Sequence, residues 1–260
     1  MATIEVAVVN CSGLTHPEFT SGVEVLQRQL DVHVRPRWGT DATLTPVDGI
    51  GIKPTLEPGG NSAAWALVVL DTMSAAAVYH GYRDLTRWGL PLGRAVIDPV
   101  LDHPRGWTLP VSHALLELLT NPNDAAVVSV SCASRRLVAK RVCDPVEKDG
   151  YSIVHASGTE YLVSNFVLPS WFDSTGARPF DQMQLLDNPQ EISPNGGRSR
   201  YFGSTGAQGA CHWTLEERHP GAATIVTQLV PPAAVPLVAA APSSATEPPV
   251  FEPSDFFLPP

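Results

Sequence analysis

Ser112-His113-Ala114-Leu115-Leu116-Glu117-Leu118-Leu119 is the stretch on which the reading of this chain turns. Its leucines recur at helical spacing. They predict a helix over 111–120, with Thr108 or Ser112 as its cap and Asn121-Pro122 as its stop. So short a helix cannot persist alone, and its leucines must hold it by packing. His113 and Glu117 stand four residues apart, so both project from one face. That spacing sets two donor atoms within reach of one ion at about 2 Å. His113 is expected in the first turn, where the positive end of the helix dipole disfavours an imidazolium. A neutral ring is what a metal requires. The competing reading of such a pair is a hydrogen-bonded or solvated His–Glu contact.

The flanking segments suggest the fold. Residues 4–9 read as a strand, short and β-branched, ending at Asn10-Cys11-Ser12-Gly13. Val23, Leu26 and Leu30 mark a helix over 16–34, which Pro36 is expected to close. Residues 39–62 read as a long loop with at most one strand. Residues 65–70 are an unbroken apolar run, the mark of a strand buried on both faces. Residues 95–97, 126–131 and 137–142 read as further strands, and 151–155 with 161–167 as a hairpin about Gly158. Helix and strand alternate early and strands dominate later. This predicts α/β, or α+β, with a mixed sheet packed against helices.

Composition bounds the function. The chain has 260 residues, 43% hydrophobic and 17% charged, which indicates a folded core. A net charge of −9 and only three lysines argue against nucleic-acid binding, which needs clustered cations on phosphates. No apolar run is long enough for a transmembrane helix. The start, MATIEVAVVNCSG, lacks a signal-peptide pattern, so the expected place is the cytoplasm or a particle. Cys11, Cys132, Cys143 and Cys211 have no zinc-finger spacing; they read as buried thiols, with an extracellular disulfide as the alternative. Residues 231–260 hold nine prolines and no Lys or Arg, so 229–260 reads as an extended or disordered arm after a domain over 1–228, either a loose tail or an arm that docks. Phe251, Phe256 and Phe257 would gain from burial, either on a protein partner or on a neighbouring subunit.

Several ordered motifs carry a resemblance. SHALLELL at 112–119 is followed by Asn121-Pro122, RVCDPVE at 141–147, VSNFVLPSWF at 163–172 and Gly196-Gly197. Upstream stands GYRDLTRWGLP at 81–91. Over residues 4–200 the chain resembles bacterial zincin-like, metallopeptidase-related proteins. Their pattern runs S-H-E-L-L-E-M-L, E-V-C-D-x-V-E, V-S-D-F-V-x-P-x-W-F, with G-Y-H-D upstream. The resemblance implies a zincin-like fold in which His113, Glu117, Asp144 and Glu147 remain as the candidate zinc ligands.

The departures lie at the reacting positions. A zincin's general base is the Glu after the first ligand His, and here Ala114 stands there. Arg83 replaces the family's His in G-Y-H-D, and Arg141 its Glu before V-C-D. Each puts a permanent cation where a ligand or base would be, one that repels zinc at short range, and the alternative to a metal is Arg83 or Arg141 paired with Glu117 in its place. The resemblance therefore implies a degenerate metallopeptidase-like protein that acts as a binding or structural module. Two alternatives stand beside it. One is a structural component of a virion or other particle, anchored by the arm. The other is a working zinc hydrolase with an unusual base. Taken without the resemblance, Asp144 before Pro145 reads as a turn residue and Glu147 as solvent-facing. Weaker candidates are a Cys143–His155 pair, a FGSTGAQGA surface loop over 202–210 and Cys211-His212-Trp213 with His219. Trp171-Phe172 reads as a core plug or a cover for the sheet edge.

Overall fold

The computed structural model describes residues 3–48, 64–71, 82–85, 89–97, 106–131, 136–204 and 211–229. A mixed sheet of five strands forms the first layer. Strand β1 (Ile4–Cys11) is flanked by β2 (Ala42–Asp48) and β3 (Trp65–Asp71), both parallel to it. Strand β5 (Pro91–Ile97) runs parallel to β3, and β4 (Tyr82–Leu85) adds an antiparallel edge. The spatial order is β2-β1-β3-β5-β4. Parallel strands are covered on both faces, so their sequences are apolar without alternation. Val6, Val8, Leu67 and Val69 join the main core, while Ala7, Val9, Ala66 and Val68 form a smaller cluster on the opposite face.

Helix α1 (His16–Gln29) buries Phe19, Val23 and Leu26 in the main core. The expected stop at Pro36 is not where the helical path ends. A π-helical turn over Leu30–Val34 leads into a last short helix, α2 (Arg35–Trp38), and Gly39 closes it at φ 66°. In the π-turn the Arg35 N–H bonds the Leu30 carbonyl, five residues back. This wider turn opens the hydrogen-bond ladder just before Pro36, whose ring would clash with a regular one. The loop expected over 39–62 contains β2, as allowed for, and residues 49–63 lie outside the described part.

Helix α3 spans Thr108–Thr120 and so begins earlier than predicted. Neither Thr108 nor Ser112 caps it. Thr108 Oγ1 donates to the Leu162 carbonyl at 2.6 Å, and Ser112 Oγ donates to Gln29 Oε1 at 2.7 Å. Both hydroxyls are buried and serve tertiary contacts instead. Gln29 also donates from Nε2 to Ser164 O (3.0 Å) and to the Tyr151 hydroxyl (3.2 Å). One buried amide thus ties α1 to α3 and to the predicted hairpin, β8 (Gly150–Val154) with β9 (Glu160–Ser164). Gly158 supplies the positive φ of 83° in its turn.

A second five-stranded sheet is wholly antiparallel. Its members are β6 (Val127–Ser131), β7 (Arg136–Ala139), β10 (Gly197–Ser204), β11 (Cys211–Arg218) and β12 (Ile225–Leu229). They lie in the order β12-β11-β10-β7-β6. Of the predicted surface loop over 202–210, Phe202–Ser204 instead completes β10 and pairs with β11, while residues 205–210 lie outside the described part. The architecture is α/β in one sheet and α+β in the other. Trp171 is fully buried and donates from Nε1 to Glu191 O at 2.8 Å, which fits its expected plugging role. Among the described residues no helix is long and apolar enough to cross a membrane. Cys132 and the arm with Phe251, Phe256 and Phe257 lie outside the described residues.

Candidate metal centre

The site forms where α3 meets the segment after β7. On α3, Leu115, Leu116, Leu118 and Leu119 are all buried and fix the rotation of the helix. This turns His113 and Glu117 toward residues 141–147. There a 3-10 turn over Asp144–Val146 presents Asp144. Gly197 of β10 allows that turn to approach, because a Cβ at this position would lie 2.4 Å from the Pro145 carbonyl oxygen.

One donor atom each from His113, Glu117 and Asp144 lies within 4.8 Å of the others. Glu117 and Asp144 are buried, and His113 is half-buried. Among the described residues this is the one group of three or more such side chains placed to hold a metal ion. The predicted fourth ligand, Glu147, is not part of it. Its Oε2 lies 3.6 Å from Arg198 Nε, so it serves as an ion-pair partner.

Each carboxylate has structural neighbours. Glu117 Oε1 accepts the Cys143 N–H at 2.7 Å, and its Oε2 is 4.0 Å from Arg141 Nη1. Arg141 also pairs with Asp124. Asp144 Oδ1 lies 3.2 Å from His113 Nε2 and 3.5 Å from Arg198 Nη2. Oδ1 is buried and has these two ion-pair contacts but no hydrogen bond. Burial alone would raise the Asp144 carboxyl. His113, Arg198 and Arg141 outweigh it and hold the group below the usual carboxylate range. Burial likewise opposes the Arg198 cation, and Asp144 and Glu147 more than compensate.

The donor set fits a divalent ion. One imidazole nitrogen and two carboxylate oxygens are donors such an ion can use, and Asp144 Oδ1 is a buried acceptor without a hydrogen bond. The dipole argument for His113 fails, however. It is the sixth residue of a helix that starts at Thr108, beyond the turn where the dipole acts.

Arg198 is the functional neighbour that the sequence reading missed. Its signal was available, since Gly196-Gly197 marks a close approach and Arg198 follows directly. The side chain of Arg83 lies outside the described residues. The suggested Cys143–His155 pair is not a unit, because His155 bonds Glu24 Oε2 (2.7 Å) and Ser157 Oγ (2.8 Å) while the Cys143 amide bonds Glu117. His212 and His219 join no group of metal donors among the described residues. Among those residues, Cys11 and Cys143 form no disulfide. Comparison with family models, with curated proteins and with solved structures finds no match to this chain.

Proposed function

We propose that this chain is a catalytically silent, metallopeptidase-like protein, a binding or structural module that keeps a metal-ligand pocket without the group that activates water. The carrying observation is Ala114. It sits on α3 beside His113, only 6% exposed, and its methyl group takes no proton.

The other carboxylates are poor substitutes for the missing base. Glu117 is engaged by Cys143, Glu147 by Arg198, and Asp144 lies against both His113 and Arg198. When bound, zinc would supply Lewis-acid polarisation of a coordinated oxygen. His113, Glu117 and Asp144 are the residues that would hold it. Arg141 and Arg198 then place two guanidinium groups at the pocket, which favours an anionic partner group over a water to be deprotonated.

The test is zinc analysis of the purified chain and of Glu117→Ala, each assayed in parallel for cleavage of casein and of a mixed peptide set. The expected result is zinc bound by the wild type, lost in the variant, and no cleavage by either. Zinc-dependent hydrolysis that disappears in Glu117→Ala would make the protein an enzyme and overturn the proposal.

A further inference from the structure

The second sheet has unequal faces. On the inner face Val138, Tyr201 and Thr214 stand in register, with Val138 and Thr214 each 1% exposed. The outer face alternates with it. One outer row runs Leu137, Phe202, Trp213 and the Leu229 position, and the next contains Arg200, Leu215 and the Thr227 position. Leu137, Phe202, Trp213 and Leu215 are only half-buried, and Ile225 at the edge is 50% exposed. The Phe202 and Trp213 rings lie 5.6 Å apart.

Two arginines lie on this face, and they differ. Arg198 is neutralised by Asp144 and Glu147, with Glu217 opposite it in register. Arg200 has no ion pair among the described residues, and its Nε is buried without a hydrogen bond. A half-buried cation beside an aromatic pair suits an acidic segment that also carries aromatic groups.

The chain contains such a segment. Residues 247–258 read EPPVFEPSDFFL, with Glu247, Glu252 and Asp255, three phenylalanines, and no Lys or Arg. Strand β12 ends at Leu229, whose register partner is Trp213. Twenty-one residues separate Leu229 from Phe251. Six of these are proline, and a proline-rich linker of that length reaches up to about 65 Å, against about 19 Å for the breadth of a five-stranded sheet. Its own sheet is therefore within reach.

We infer that the outer face of the antiparallel sheet is the docking site of the chain's own segment 247–258, with Arg200 pairing to Glu252 or Asp255 and the phenylalanines covering Phe202 and Trp213. The prolines lower the cost of ordering the segment. The inference does not depend on the metal pocket.

The test uses the full chain with p-benzoylphenylalanine in place of Phe256, irradiated and mapped by mass spectrometry. The expected product has the mass of one chain and joins residue 256 to the β10–β11 region. Arg200→Glu should lower its yield about tenfold, the loss of one charge-assisted contact. Reversing Glu252 and Asp255 to Arg in that background should restore it. Arg200→Gln, milder for folding, should also lower the yield. Cross-links to other surfaces, products found only between two chains, or a yield unmoved by both Arg200 variants would overturn the inference.

Discussion

Glu117 has two separable roles, and one pair of substitutions divides them. Its Oε1 accepts the buried Cys143 N–H, which is a folding contact. Its charge would help the proposed pocket to hold a cation. Glu117→Ala removes both. An orphaned buried N–H costs about 1–3 kcal/mol, and the vacated volume adds to it, so the metal-free chain should lose about 2–4 kcal/mol. Glu117→Gln keeps an acceptor oxygen for the Cys143 N–H but removes the charge beside Arg141, so its loss should be smaller than that of Glu117→Ala. Denaturant unfolding in EDTA measures both. Thermal scans with zinc measure the second role. At one hundred times the dissociation constant a native-state ligand adds about 2.7 kcal/mol. For a domain of this size that is a rise of about 5–10 °C. Both variants should lose the rise. If Glu117→Ala unfolds like wild type in EDTA, the Cys143 contact carries no stability and the packing argument is wrong. If Glu117→Gln keeps the full zinc-induced rise, the carboxylate is not a ligand.

Three further outcomes follow from geometry. A Cβ on Gly22 would lie 2.1 Å from Trp107 Cζ2, in a ring stacked on Phe19, so Gly22→Ala should cost about 1–3 kcal/mol from overpacking, partly offset by about 1 kcal/mol of helix propensity; calorimetry that shows stabilisation would contradict it. Gly197→Ala pushes the Pro145 carbonyl away and should shift Asp144, weakening zinc binding about tenfold by titration calorimetry, and unchanged affinity would show that the turn does not depend on this approach. His33 is held below its ordinary 6.5 by burial and then by Arg28, and its Nδ1 lies 2.9 Å from the Tyr151 hydroxyl. The unfolded chain therefore binds the proton more readily, so this contribution is present above pH 6.5 and is lost as pH falls from 6.5 toward the folded value. His33→Gln should flatten the acid-side fall in unfolding temperature between pH 7.5 and 5.5, and an identical slope in both proteins would refute the assignment.

Much of the fold was legible because its signals are local. The apolar run at 65–70, the leucines of α3 and the glycine turn at 158 each dictate an element without help from distant residues. The site was legible in part for the same reason. The spacing of His113 and Glu117 is a property of one helix, whereas bringing Asp144 to them depends on Gly197 from a distant strand. The readings that failed are those that tertiary contacts decide. Thr108 and Ser112 have the chemistry of caps, yet buried partners on β9 and α1 claim their hydroxyls. Glu147 has the chemistry of a ligand, yet Arg198 takes it. Strands β10 to β12 were hidden among glycines and polar residues, because a sheet with one half-exposed face needs no long apolar run.

The π-turn at Leu30–Val34 has a consequence for the length of the chain. Each residue of a regular helix advances about 100° around the axis, so one surplus residue rotates everything after it by about that angle. The phase set by Phe19, Val23 and Leu26 does not carry through to Trp38. Only after this rotation does the Trp38 indole donate to the Val167 carbonyl at 3.1 Å and meet the edge of Phe172. The turn works like a vernier between two fixed scales. It absorbs a change of one residue while α1 keeps its grip on the parallel sheet and the indole keeps its seat.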